Sequence, residues 1–248
     1  MAVDETAARR GHHYITLFVD IDQARVVFAT EGKDAETVAA FADDLAAHSG
    51  DPDAVAEVCI DMSPAFIKGT ADSLPMAEVT FDKFHAVKLI NDAVDQVRRA
   101  ERKVHTLLAG TRYLWLRNPD RLSERQRAIL DDLPMRHLKT ARAWRIRLAF
   151  QEFYEQHCTS AGAAFLKRWY FWATHSRLPP IIDAAHTVKR HWDGILRWFD
   201  SKIANGLIEG INSLVQAAKA KARGYRSIRN LTAMVYLLAG KLDIKPAT

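Results

Sequence analysis

Tyr14 to Val19 and Arg25 to Thr30 are dense apolar runs separated by the polar, turn-forming stretch Asp20 to Gln23, and together they predict a β-hairpin. AVDET, residues 2–6, predicts a short strand ahead of it. Apolar or alanine residues at 35, 38, 39, 41, 42, 45 and 46 recur at the helical period, so an amphipathic helix opened by an acid is expected over Asp34 to His48. AVAEVCID is a β-rich run ending at Asp61. Ser63 and Pro64 then supply an N-cap and a first-turn proline for a short helix, and AEVTFD predicts a strand stopping near Asp82. The resulting order of strand, hairpin, helix, strand, helix, strand defines an α/β arrangement.

From about residue 86 to 200 the pattern is helical. It breaks near Asn118 to Asp120, at Pro134 and at Leu178 to Pro180, and a capping box from Ser123 to Gln126 opens one helix. A final helical pair is expected over 201–224 and 227–240, divided at Gly224 as a C-cap. In the first of these, Ile203, Leu207, Ile211, Leu214, Val215 and Ala218 form an apolar stripe. Asn205, Glu209, Asn212 and Gln216 follow at steps of four, three and four, forming a separate polar stripe. That helix can bury one side and present a lone carboxylate flanked by amides on another.

Charge changes the picture in one respect. The 248 residues carry a net charge of +5, but the first 96 are acid-rich. The bases cluster later, at Arg98 to Lys103, Arg136 to Arg147, Lys167 to Arg168 and Lys219 to Arg229, so the positive field belongs to the second half. Cys59 and Cys158 stand far apart, which excludes a disulfide framework or a four-cysteine zinc site. No apolar run reaches membrane-spanning length and the first residues lack a signal-peptide core, so a cytoplasmic protein with no membrane partner is expected. Six tryptophans, mostly in the helical block, read chiefly as core; one of them is a candidate for stacking on a distorted DNA base.

Asp4 and Asp61 lie in or at the tip of expected strands, where an α/β sheet opens a crevice. If the helix bearing Glu209 packs beside that sheet, the three carboxylates can converge on two divalent metals roughly 4 Å apart, a geometry suited to phosphodiester chemistry. Oxygen donors suit magnesium. Taken singly, each acid has a plainer reading: Glu209 as a solvated helix-face acid, Asp4 as a surface acid and Asp61 as a turn or capping residue.

Four stretches in order, VDETAARRGHHYITLFVDID, CIDMSPAFIKG, VTFDKFHAVKLIN and NGLIEGINSLVQAAKAKARGYRS, resemble successive signatures of the DDE transposases of bacterial insertion sequences, specifically the ISL3 group, which have an RNase H-like catalytic core. The resemblance implies an α/β fold in which an RNase H-like mixed sheet with flanking helices is interrupted by a large all-helical insertion. On this reading residues 1–90 are the first part of the core, 91–200 the insertion, and 201–248 the helices completing the core. It implies that Asp4 in VDE, Asp61 in DMSP and Glu209 in NGxxEGxN are catalytic, holding two Mg2+ ions with Mn2+ as a substitute. The partners implied are DNA, as element ends and target, and further copies of the chain in an active homo-oligomer. Two departures stand out: Ala204 replaces a usual serine, and the zinc-binding and helix-turn-helix parts usual upstream are missing, which reads as a truncated chain.

Asp82 and His85 in FDKFH, with Asn205 and Asn212, are candidates for supporting the carboxylates or touching DNA; Asp82 reads alternatively as a helix cap. His12 and His13 are expected on a hairpin turn. Lys219, Lys221, Arg223, Arg226 and Arg229 are candidate phosphate contacts just beyond the glutamate helix. Three functions are therefore weighed: a transposase catalytic domain, an inactive remnant that keeps non-specific DNA binding, and a stand-alone RNase H-like nuclease.

Overall fold

A computed structural model of the chain describes residues 1–9, 11–203 and 206–242. These fall into two compact units, one made of Met1–Asp82 with the segment from Ser201 onward, the other of Lys83–Asp200.

The first unit is built on a five-stranded mixed sheet with strands β1 (Ala2–Arg9), β2 (His13–Asp20), β3 (Arg25–Glu31), β4 (Glu57–Ile60) and β5 (Glu78–Phe81) in the order 3-2-1-4-5. β1, β2 and β3 form an antiparallel meander, whereas β4 lies parallel to β1 and β5 parallel to β4. The β1–β2 connection turns at Gly11 and His12, both with positive φ, so His12 stands on the turn as expected, whereas His13 already opens β2, paired with Arg9. β1 extends beyond the expected AVDET because Ala7 and Arg9 keep pairing with the start of β2, through a register shift between them.

Helices cover both faces of the sheet. On one side α1 (Ala35–Ala47), capped by Asp34, lays Phe41 flat on Phe18 of β2 with ring centroids 4.5 Å apart. α2 (Pro64–Ser73) starts at the expected Ser63 N-cap and crosses α1 where Gly69 approaches the Ala35 carbonyl; a Cβ there would come within 2.9 Å of that oxygen. On the other side α11 (Gly206–Lys221) and α12 (Ile228–Ala239) bury Ile208, Ile211, Val215, Leu231 and Val235 against Ala2, Ala8, Ile15, Leu17, Val19 and Cys59. Each fully buried Ile, Leu or Val of that layer contributes on the order of 1.5–3 kcal/mol. The left-handed capping position after α11 falls one residue before the expected glycine: Arg223, at φ +55°, takes it and donates its N–H to the Ala220 carbonyl at 3.1 Å, and Gly224 follows with its N–H on the Lys219 carbonyl at 2.8 Å. The outer edge is partly closed by Tyr236 of α12, whose hydroxyl accepts from the Ala29 N–H of β3 at 3.1 Å.

The second unit is wholly helical: α3 (Lys83–Arg102), α4 (Arg112–Leu116), α5 (Glu124–Asp131), α6 (Lys139–Phe153), α7 (Thr159–Thr174), α8 (Pro179–Arg190), α9 (Trp192–Leu196) and α10 (Trp198–Ser201), the last reaching one residue into the first unit. The capping box from Ser123 to Gln126 is formed, opening α5. Glu101 closes the N-terminus of α6, accepting from the Lys139 and Thr140 amides and the Thr140 hydroxyl at 2.7–2.8 Å. Of the six tryptophans only Trp115 and Trp169 are buried, so the reading of most of them as core is corrected: Trp144, Trp192 and Trp198 are half-buried and Trp172 is exposed.

Candidate active site

The sheet register brings the aspartates into one row. Ala2 of β1 is partnered with Cys59 of the parallel strand β4, so two residues further along both chains Asp4 comes level with Asp61. Ile60 is partnered with Phe81, and the Asp82 N–H donates to the Ile60 carbonyl at 2.9 Å, which sets Asp82 level with Asp61 on the next strand. Side-chain alternation puts Asp4 and Thr6 on the same sheet face as Ala2 and Ala8, the face that α11 covers. Asp82 is 2% exposed, which the reading of it as a simple helix cap did not foresee.

α11 meets this row with its polar stripe. Its apolar residues Ile208, Ile211 and Val215 seat it on the sheet, and that seating leaves the amide-bearing side facing β1. The Asn212 amide donates to Asp4 Oδ2 at 2.7 Å, while Asp4 Oδ1 accepts from the Glu5 N–H at 2.9 Å. One helical turn on, Gln216 donates to the Thr6 hydroxyl at 2.7 Å and to the Ala7 carbonyl at 2.9 Å. Lys219 also donates to the Ala7 carbonyl, at 2.5 Å. Glu209 lies one turn before Asn212, exposed, in the first turn of α11, where the helix dipole favours an acid. Asn205 lies outside the described residues. Asp61 leads into α2, its Oδ1 accepting from the Ser63 N–H at 2.8 Å, so the turn role is real and accounts for one of its oxygens.

The carboxylates of the row act on the buried residue among them. Burial pushes the Cys59 thiol well up, and the charges of Asp82 and Asp4 push it further, so this thiol stays protonated between the aspartates. The donor set is all oxygen, the type that magnesium or manganese accepts, and Asn212 Oδ1, beside Asp4, is buried with no hydrogen-bond partner among the described residues. Among the described residues, however, no three His, Cys, Asp or Glu side chains stand together closely enough to hold an ion.

Lys221, Arg223, Arg226 and Arg229 are exposed, Lys221 as the last residue of α11, Arg223 in the turn that ends the helix, Arg226 after it and Arg229 at the start of α12. The Arg226 carbonyl accepts a hydrogen bond from Arg9 of β1. His85 stands on α3 of the helical unit with its ring against Phe84, centroids 5.4 Å apart. Thr6 went unnoticed in the sequence, and the only signal for it was its i, i+2 spacing from Asp4.

A 3-2-1-4-5 mixed sheet with helices on both faces and an aspartate on the central strand defines an RNase H-like α/β protein. The chain belongs to the ISL3 family of DDE transposases: the model of that family, described as a transposase, matches residues 1–235. It is 30% identical over 236 residues to the transposase for insertion sequence element IS1001 of Bordetella parapertussis, covering 91% of this chain and 57% of that protein. It is 28% identical over 275 residues to the transposase for insertion sequence element IS1557 of Mycobacterium tuberculosis, covering 99% of this chain and 61% of that protein. The chain therefore spans about 60% of the length of these relatives. Among its described residues no helix is long and apolar enough to cross a membrane.

Proposed function

We propose that this chain is the catalytic core of an insertion-sequence transposase, cutting DNA at the element ends and joining the freed 3′ end to target DNA. Asp4, Asp61 and Glu209 would be the metal-holding carboxylates and Mg2+, as two ions, the cofactor, with Mn2+ able to replace it. The observation that carries this reading is the bond from Asn212 to Asp4, which ties the glutamate-bearing helix to the central strand beside Asp61.

When bound, the two ions would activate an attacking oxygen and neutralise the leaving one. The chain's own residues supply positioning. Asn212 and the Glu5 amide fix both oxygens of Asp4, the Ser63 amide fixes one of Asp61, and the buried stripe of α11 sets where Glu209 begins. Asn212→Ala should lower divalent-metal affinity or strand cleavage by about 10–100-fold, the usual cost of removing a group that orients a ligand. Titration of Mn2+ followed by calorimetry reads the first, and an unchanged affinity would assign Asn212 to packing alone.

The bases past α11 would hold the DNA backbone without reading sequence. Replacing Lys219, Lys221 and Arg223 with Ala should weaken binding to unrelated duplexes equally and flatten the salt dependence by about 0.9 in log–log slope per lost phosphate contact. Lys219, already bonded to the Ala7 carbonyl, should account for the smallest share. A slope identical to the parent's would return these residues to the solvent.

A second reading is favoured by the lack of a preformed three-ligand cluster among the described residues: a remnant that binds DNA without cutting it. The deciding experiment incubates the protein with duplexes ending in the terminal repeats that flank its gene, with and without Mg2+, and looks for new 3′-hydroxyl ends. Metal-dependent nicking at the repeat boundary supports the transposase core. Binding without nicking, together with no Mn2+ uptake by calorimetry, supports the remnant.

A further inference from the structure

The two units differ sharply in charge. Lys83–Asp200 contains 22 Lys and Arg against 12 Asp and Glu, while the rest of the chain has 13 against 18. Within the basic unit, α7 is the longest helix without an acid, 16 residues against the five of α4. Its inner side buries Gly162, Leu166, Trp169 and Ala173, with the Trp169 indole fixed by a 2.9 Å bond to the Ile146 carbonyl. Its outer side carries Lys167, Arg168, Phe171 and Trp172, and His175 follows at the C-cap. Phe171 is 65% exposed and Trp172 42%, and the His175 ring stacks on Phe171 with centroids 4.1 Å apart and planes at 29°. The Arg168 guanidinium sits 5.6 Å over the Phe165 ring.

Single exposed apolar residues are ordinary, but two large adjacent rings held in water beside two cations mark a binding surface. The aromatics are flat and the charge is of one sign, a combination that fits a polyanion offering planar groups and fits a protein surface poorly. We propose that this face of α7 is a DNA platform, with Lys167 and Arg168 against phosphates and Phe171 and Trp172 stacked on bases that have lost their pairing. The proposal rests on the DNA-handling reading above and adds to it the strand state recognised: unpaired bases, as at a frayed or newly cut end.

The test is fluorescence anisotropy with the full chain on two DNAs of the same sequence, a blunt duplex and one with several unpaired nucleotides at one end. The parent should prefer the frayed end. F171L/W172L, which keeps apolar bulk but removes the rings, should lose about tenfold on the frayed DNA and leave blunt-duplex affinity within about twofold. K167A/R168A should weaken both DNAs together and flatten their salt dependence. Equal binding of the frayed DNA by F171L/W172L and parent, with duplex binding intact, would overturn the platform while leaving the transposase reading standing. Failure of the parent to bind either DNA would overturn both. If instead F171L/W172L turns an oligomer into a monomer in sedimentation and leaves DNA affinity unchanged, the face is a contact between copies and the proposal is wrong.

Discussion

Asp61→Asn and Glu209→Gln are expected to fold like the parent and to lose strand cleavage and transfer by roughly 10³-fold or more. The proposed role of each carboxylate is to hold a cation that supplies several kcal/mol of charge stabilisation, and about 1.4 kcal/mol corresponds to a factor of ten in rate. The folding side follows from local geometry. Asn at position 61 retains an oxygen able to accept the Ser63 N–H, so the turn into α2 survives. Glu209 is exposed, and Gln there removes only a first-turn acid, costing no more than about 0.3–1 kcal/mol of favourable dipole interaction. Thermal melts should therefore nearly superimpose. Mn2+ titration supplies a readout independent of turnover, and both variants should bind the ion more weakly. Undiminished strand transfer by Glu209→Gln, assayed with any upstream DNA-binding part supplied, would remove Glu209 from the site.

How far the sequence could lead differs from residue to residue. The strands and both final helices were legible because one sheet face and one helix stripe are apolar, and a period of two or of 3.6 survives in the letters alone. The polar stripe of α11 was legible for the same reason. Its partner was not, because the bond from Asn212 to Asp4 spans 208 residues and depends on how the helix docks. The alignment of Asp4, Asp61 and Asp82 was likewise hidden: a parallel pair takes its register from the packing of the crossover helix, and no local signal records it. Asp82 looked like a cap because it precedes a helix, while its burial is set by the neighbouring strand. The tryptophans misled for a related reason. In an all-helical unit the buried face of each helix is chosen by its neighbours, and Trp169 and Trp172, three positions apart on α7, end on opposite sides of that choice.

Arg147 carries the largest expected effect on stability. It is 2% exposed at the centre of the helical unit, and its guanidinium donates to Asn91 Oδ1 on α3 at 2.5 Å, to the Leu116 carbonyl of α4 at 2.9 Å and to Asn118 Oδ1 at 2.9 Å, with a longer bond to the Arg117 carbonyl at 3.4 Å. All four acceptors are neutral. Burial lowers its pKa to about 10, far enough above neutrality that the charge persists, held by oriented dipoles without a carboxylate. One side chain thus joins α3, α6 and the segment closing α4. Arg147→Met fills much of the volume but leaves these acceptors buried and unpaired, at about 1–3 kcal/mol for each group that water cannot reach. The expected loss is at least about 3 kcal/mol, or roughly 10 °C in the melting midpoint of a unit this size. Arg147→Lys should recover only part of it, because a single ammonium cannot reproduce the planar fork that reaches Asn91 and Leu116 together. Urea unfolding followed by far-ultraviolet circular dichroism measures both variants, and a midpoint for Arg147→Met indistinguishable from the parent's would show that the helices hold together by apolar packing without the help of this network.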